Sequence, residues 1–241
     1  MSVPNAFYDG SNEQDERWTA VDAYALEHLH PPSRPNHETL VNTLKRSDAN
    51  GLDNIAAHPT MAKYLALQCR IAKVEHALEV GTLGGYTAIW IASENPKLHL
   101  TSIECDTHSA KVARENIEKA GLTDRIEVVE GVALEVLPKL VADVKASKRA
   151  PYGFAFIDAD KQNNWPYVQN ILKMSQSGTI IVVDNVVRRA ELVLPQFQHD
   201  TRVIGSRQVV EEIGKLENVD ATLIQTVSEK DYDGFLLAVV Q

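Results

Sequence analysis

Three observations predict an α/β fold, a seven-stranded and mostly parallel sheet with helices on both faces. From Val74 onward, short apolar runs alternate with helical periodicities, the order produced when each strand returns to the sheet through a covering helix. The runs Gly153 to Asp158 and Gly178 to Asp184 are apolar without alternation, as central strands buried on both faces are. The last two runs, Ala221 to Val227 and Phe235 to Val240, are joined by SEKDYDG, too short for a crossover helix, and predict an antiparallel hairpin at the sheet edge.

Ahead of the sheet, residues 1 to about 16 are polar and predict a mobile terminus. Trp18, Val21, Tyr24, Ala25 and Leu29 then recur at helical spacing until Pro31-Pro32 and Pro35 end the helix. A second helical pattern runs from about His37 to Ala49 and stops at Gly51, and a third, PTMAKYLALQCRIA, starts at Pro59. No Gly/Ser-rich or charged linker separates these helices from the sheet, so residues 1–72 read as an N-terminal tail and helical arm within the same domain as residues 73–241. The first strand is Ala77 to Val80, with a helix from Tyr86. Leu98 to Glu104 and Ile126 to Glu130 are the next strands, with helices over Thr107 to Ala120, Val132 to about Ala146, Pro166 to Ser175 and Gln198 to Leu216.

Composition narrows the function. The 241 residues are 44% hydrophobic, ample for a full core. A net charge of −9 argues against a non-specific grip on nucleic acid or on an anionic membrane, so a small molecule is the expected partner. Cys69 and Cys105 are too few for a disulfide framework or a structural zinc site. With no signal-like start and no apolar stretch near the roughly 20 residues that span a bilayer, the chain reads as cytoplasmic.

The stretch HALEVGTLGGYTAIWIA places a strand, a glycine turn and a helix in succession, which makes the fold Rossmann-like. Gly81 and Gly85 let backbone approach a nucleotide-like cofactor, and the helix opening at Tyr86 offers N–H groups not used within it. The spacing G-x-x-G-G is not the dinucleotide fingerprint. Glu104 ends the second strand 23 positions after Gly81, where an acid can accept the hydroxyls of a ribose, whether of a dinucleotide or of an adenosyl compound. Asp158 and Asp184-Asn185 end the fourth and fifth strands; if these are neighbours, their ends lie about 5 Å apart. Two such carboxylates repel unless a proton or cation joins them, and three hard oxygen donors suit Mg²⁺, Mn²⁺ or Ca²⁺ better than Zn²⁺. The alternative is that Asp184-Asn185 caps a loop and Asp158 the following helix.

The segments LEVGTLGGYTAIWIA, IDADKQNN and VVDNVVR, with EGVALEVL between them and IQTVSEKDYDGFLLAVV at the end, resemble the cation-dependent O-methyltransferases of the caffeoyl-CoA and catechol types. The resemblance covers about Trp18 to Gln241. It implies that Glu79, Gly81, Thr82 and Thr87 contact the methionine part of S-adenosylmethionine, that Glu104 holds the ribose and that Ala133 lies beside the adenine. It implies Asp158, Asp184 and Asn185 as cation ligands, with Asp158 also touching cofactor and sharing in catalysis, and Lys161 as general base. Asp160 matches a family acid with a supporting or substrate role, and family members commonly pair as homodimers. In HPTMAK, Ala62 and Lys63 replace the family's glutamine-glycine pair, and Arg188 replaces a tryptophan of the caffeoyl-CoA type, so that ester specificity is not carried over. Trp165 is the candidate for stacking on an aromatic acceptor, and Arg188 a further pocket candidate.

A cation binding both oxygens of a catechol lowers one hydroxyl's pKa, and a lysine three positions after a cation ligand can take the proton. The plainer reading of Lys161 is a surface lysine paired with Asp160. Three rival functions share the fold. A nicotinamide-dependent oxidoreductase would lack its glycine spacing and a Tyr-x-x-x-Lys pair, and a base-amino methyltransferase would need Asn/Asp-Pro-Pro-Tyr where Asp158-Ala-Asp-Lys stands. A non-catalytic S-adenosylmethionine-binding protein would leave Lys161 without a task.

Overall fold

A computed structural model of the protein describes residues 15–241. The mobile terminus expected before about residue 16 therefore lies almost wholly outside the described residues. The arm comprises α1 (Glu16–Leu29), α2 (His37–Ala49) and α3 (Pro59–Ile71). The sheet follows as β1 (His76–Val80), α4 (Tyr86–Glu94), β2 (His99–Glu104), α5 (Thr107–Lys119), β3 (Ile126–Glu130), α6 (Ala133–Lys145) and β4 (Tyr152–Ile157). It ends with α7 (Asn164–Leu172), β5 (Ser175–Val183), α8 (Thr201–Ile213), β6 (Val219–Val227) and β7 (Tyr232–Val240). Strand order is β3-β2-β1-β4-β5-β7-β6, parallel except that β7 runs antiparallel to both β5 and β6. The predicted fold class and edge hairpin are thus observed. Among the described residues no helix is long and apolar enough to cross a membrane.

The continuous apolar runs are the central strands because both sheet faces are covered. Phe154 and Phe156 of β4 enter the core under α3 and α4, while Ala155 and Ile157 enter the core under α6 and α7. Several boundaries differ from the sequence reading. β5 begins at Ser175, not Gly178, because Ser175 pairs with Tyr152 even though residues 176–178 are exposed and carry no hydrophobic signal. The helix expected from Pro166 begins at Asn164, and that expected from Gln198 begins at Thr201, where Asp200 accepts from the Arg202 N–H at 2.8 Å. The connection between β6 and β7 shortens to 228–231, closed by Ser228 N–H donating to the Asp231 carbonyl at 3.0 Å.

Two glycines fix how the arm and the strands meet. Gly81 has φ +99°, and a Cβ there would stand 2.2 Å from the Asp158 carbonyl oxygen, so β1 and β4 cross their ends at a distance only glycine permits. At Gly84 a Cβ would stand 2.1 Å from Ser47 Oγ of α2, which seats the arm directly on the turn. Gly81→Ala is expected to cost about 3 kcal/mol, since both the left-handed backbone and a carbonyl oppose it. Gly84→Ala meets only a side chain and should cost about 1–3 kcal/mol, partly recovered by Ser47→Ala. Urea unfolding of the four variants, including Gly81→Ala with Ser47→Ala, measures this; recovery in that last pair would contradict the backbone origin of the Gly81 requirement.

Candidate active site

The carboxyl ends of β1, β2, β4 and β5 open into a cavity of about 820 Å³, roofed by residues 52–57 of the arm. Gly81, Thr82, Tyr86, Thr87, Glu104, Ala133, Asp158, Asp160, Lys161 and Asn185 line it. Glu79, Gly85, Asp184, Trp165 and Arg188 do not.

Glu104 organises the glycine turn. Its Oε2 accepts from the Thr82 and Leu83 N–H groups at 3.1 and 2.8 Å, and its Oε1 accepts from Asp106 N–H at 2.9 Å. Leu83 takes a left-handed φ of +49° to deliver that bond. A carboxylate offers about four lone-pair directions. Three are filled from within the chain, so any ligand of this carboxylate shares it with the turn. Glu79 stands behind the cavity wall, buried, and accepts from Ser102 Oγ, which in turn lies 2.6 Å from Thr82 Oγ1. Glu79 thus reaches the cavity wall by hydrogen bonds through Ser102 and Thr82 and through space by its charge. Burial pushes its pKa up to about 8, with the Asp158 and Glu104 charges adding and the Ser102 hydrogen bond opposing.

β4 and β5 are neighbours in register, Ile157 beside Val183, so their parallel ends bring Asp158 and Asp184 together as the sequence suggested. Burial, and after it the charge of Asp158, pushes Asp184 up to about 7 against the pull of Lys161. Asn185 follows with a left-handed φ of +54°, and its Nδ2 donates to Asp233 Oδ2 at 3.2 Å, turning the amide oxygen the other way. Among the described residues no cluster of three or more His, Cys, Asp or Glu side chains is arranged to hold a metal. The donor set is instead two mutually repelling carboxylates and an amide oxygen, which fits one hard divalent cation and not zinc.

Lys161 is not a surface lysine. It is 12% exposed, and Nζ donates to Asp158 Oδ1 at 2.6 Å rather than to Asp160. The segment carrying it is pressed by α8, where a Cβ on Gly205 would stand 2.2 Å from the Lys161 carbonyl oxygen. Asp160 serves the loop: it accepts from Gln162 Nε2 at 2.9 Å, from Asn163 Nδ2 and from the Tyr167 hydroxyl. Two expectations are corrected. Trp165 is half-buried, packed at the margin of the core under α6, α7 and α8, and does not line the cavity. Arg188 is 15% exposed and paired with Glu191 at 3.2 Å, turned from the cavity by a run of left-handed residues at 188–190. Lys63 pairs with Glu94, which also accepts from Arg34, Arg70 and the Trp90 ring, so the HPTMAK departure is a structural ion cluster. His58 caps α3 there.

Sequence reasoning missed Asp233 and Tyr167. Asp233-Gly234 read as turn residues within SEKDYDG, and Tyr167 falls unremarked within the helix expected over Pro166 to Ser175; only the sheet closing on β7 and the Asp160 loop give them roles.

Metal-free protein should lose stability as pH rises toward 8. Folded Glu79 keeps its proton to about pH 8 and the unfolded chain releases it near 4.5, so in between the unfolded chain binds fewer protons. The slope is at most about 1.4 kcal/mol per pH unit for each such group. Glu79→Gln should flatten the stability profile between about pH 7 and 8; urea midpoints that still fall in parallel with the wild type would refute the raised carboxyl.

The sequence pattern of the O-methyltransferase family matches residues 32–238. The O-methyltransferase imqG of Aspergillus flavus is 53% identical over 236 residues, covering 98% of this chain and 96% of that protein. A catechol O-methyltransferase of Mycobacterium tuberculosis is 38% identical over 203 residues, 84% and 88% of the two chains. The crystal structure of an O-methyltransferase from Bacillus cereus in complex with SAH superposes with a TM-score of 0.86 at 41% identity, over 94% and 99% of the chains. That of TomG from Streptomyces achromogenes in complex with SAM gives a TM-score of 0.86 at 33% identity, over 95% and 99%. With a match across most of its length and a near full-length relative at this identity, the chain belongs to the O-methyltransferase family.

Proposed function

We propose that the chain transfers the methyl group of S-adenosylmethionine to one hydroxyl of a vicinal dihydroxy aromatic small molecule, assisted by a divalent cation, Mg²⁺ foremost. The observation that carries this reading is the convergence of Asp158, Asp184, Asn185 and Lys161 beside a cavity whose other wall is the glycine turn and Glu104. The solved relatives with SAH and SAM, and the relative named for catechol, support the cofactor and the acceptor class. Family membership sets aside the nicotinamide-dependent reading, and the relatives named as O-methyltransferases weigh against the non-catalytic one, in which Lys161 would have no task.

Asp158, Asp184 and the Asn185 oxygen would hold the cation, which when bound acidifies an acceptor hydroxyl and fixes its direction. Thr82, Glu104 and Ala133 would hold the cofactor at the β1 and β2 ends, while the acceptor enters beside Lys161. The S–CH₃ bond breaks as O–CH₃ forms, the electron pair returns to sulfur, and the hydroxyl proton passes to Lys161 Nζ. For that, the amine must leave its bond to Asp158 and be neutral. Residues 52–57 of the arm would cover this transfer, and the arm and sheet act as one domain around the shared cavity.

Three measurements test the reading. Lys161→Met should lower kcat by about 10²–10⁴, less for acceptors with acidic phenols that arrive already ionised; parallel rate slopes across substituted catechols would leave Lys161 a neighbour only. EDTA should abolish turnover of a catechol, Mg²⁺ or Mn²⁺ should restore it, and cofactor binding should survive; full activity of protein shown metal-free would refute the cation. Glu104→Ala should weaken S-adenosylmethionine by about 1.5–3 kcal/mol per lost charge-assisted bond, and unchanged calorimetric affinity would sink the ribose assignment.

A further inference from the structure

Asp233 stands on β7, 48 positions after Asn185, yet it holds the loop that follows β5 from two sides. Its Oδ2 accepts from Asn185 Nδ2 at 3.2 Å, and its Oδ1 accepts from the Arg188 N–H at 2.7 Å and from Gly234 N–H at 2.9 Å. Its own place is fixed by the strand: a Cβ on Gly234 would stand 2.2 Å from the Ile224 carbonyl oxygen, so β7 sits close against β6 at that point. An ionised carboxylate only accepts hydrogen bonds, whereas a primary amide donates at one end and accepts at the other. Here Asp233 Oδ2 accepts from the amide nitrogen, so the end of the Asn185 amide turned to β7 is its NH₂.

We infer that Asp233 is a positioning residue that selects which end of the Asn185 amide faces the cavity, presenting the oxygen and hiding the NH₂. The inference rests on the divalent cation proposed above, for which an amide NH₂ is no ligand. The left-handed backbone of Asn185 and the Arg188 N–H bond restrict the loop, leaving rotation of the amide as its remaining freedom. Asp233 removes that freedom. Partners of this kind behind metal ligands change metal affinity without touching the ion.

The near-isosteric Asp233→Asn reverses the logic. With its carbonyl oxygen kept on the Arg188 and Gly234 N–H groups, its NH₂ faces Asn185, whose amide turns its oxygen inward and its NH₂ to the cavity. Mn²⁺ affinity, titrated by electron paramagnetic resonance, should fall about 10- to 100-fold, while calorimetric affinity for S-adenosylhomocysteine stays within a few-fold. Exchanging the two residues, Asn185→Asp with Asp233→Asn, restores a donor–acceptor pair and an oxygen facing the cavity at unchanged net charge, so Mn²⁺ affinity should return to within a few-fold of wild type. Undiminished Mn²⁺ binding in Asp233→Asn overturns the inference, and so does an exchanged pair no better than the single variant. Should Asp233→Asn fail to fold, the exchanged pair decides alone: near wild-type affinity supports the inference, and lost affinity overturns it. A wild-type protein that binds no Mn²⁺ overturns the cation reading itself, and this inference with it.

Discussion

The site depends on one constraint, the in-register ending of β1, β4 and β5. Gly81 N–H donates to the Ile103 carbonyl, Asp158 N–H to that of Val80 and Asp184 N–H to that of Ile157, each near 2.9 Å, so the ladder carries one step beyond the last strand residues. That extra step sets the acids side by side. It also explains why Gly81 must be glycine, because the Asp158 carbonyl occupies the space of its Cβ. Every later feature, from Lys161 reaching back to Asp158 to Asp233 reaching across from β7, completes an arrangement whose spacing the backbone ladder has already determined.

Electrostatics then works against that placement. The ladder holds Asp158 and Asp184 where their charges oppose each other, and Glu79 adds a buried carboxyl one layer below. Lys161 offsets part of this by bonding Asp158, and the raised Asp184 and Glu79 carboxyls take up the rest as protons. A fold that keeps like charges together at a net charge of −9 gives up stability for a concentrated negative site. The arm covers that site while three of its cations, Arg34, Lys63 and Arg70, gather on Glu94, and Lys45 of α2 lines the cavity.

What was legible in the sequence was whatever the hydrophobic pattern itself terminates. Two unbroken apolar runs stop at Asp158 and Asp184, and a strand stops at Glu104, so acids at strand ends could be read directly. Contacts made by exposed or polar segments could not. Ser175 opens β5 by pairing with Tyr152 of β4, and the three residues after it are exposed, so no apolar signal marks this start. Trp165 and Arg188 looked like pocket residues because they are close in sequence to it, but the first packs at the margin of the core and left-handed backbone turns the second to Glu191. Asp233 was hidden for the opposite reason: it is distant in sequence, in a stretch whose composition says only turn.

The carboxylate of Glu104 has a consequence for traffic through the cavity. A buried acid that depended on a ligand for its hydrogen bonds would be stranded each time that ligand departed, and the desolvated charge would slow the departure. Glu104 keeps three main-chain donors of its own, from Thr82, Leu83 and Asp106. On the proposed ribose assignment, exit of a spent nucleoside exposes no orphaned charge, and arrival of a fresh one trades partners instead of creating them. The turn that grips is also the turn that lets go, which suits a protein that must exchange one adenosyl compound for a nearly identical one in every cycle.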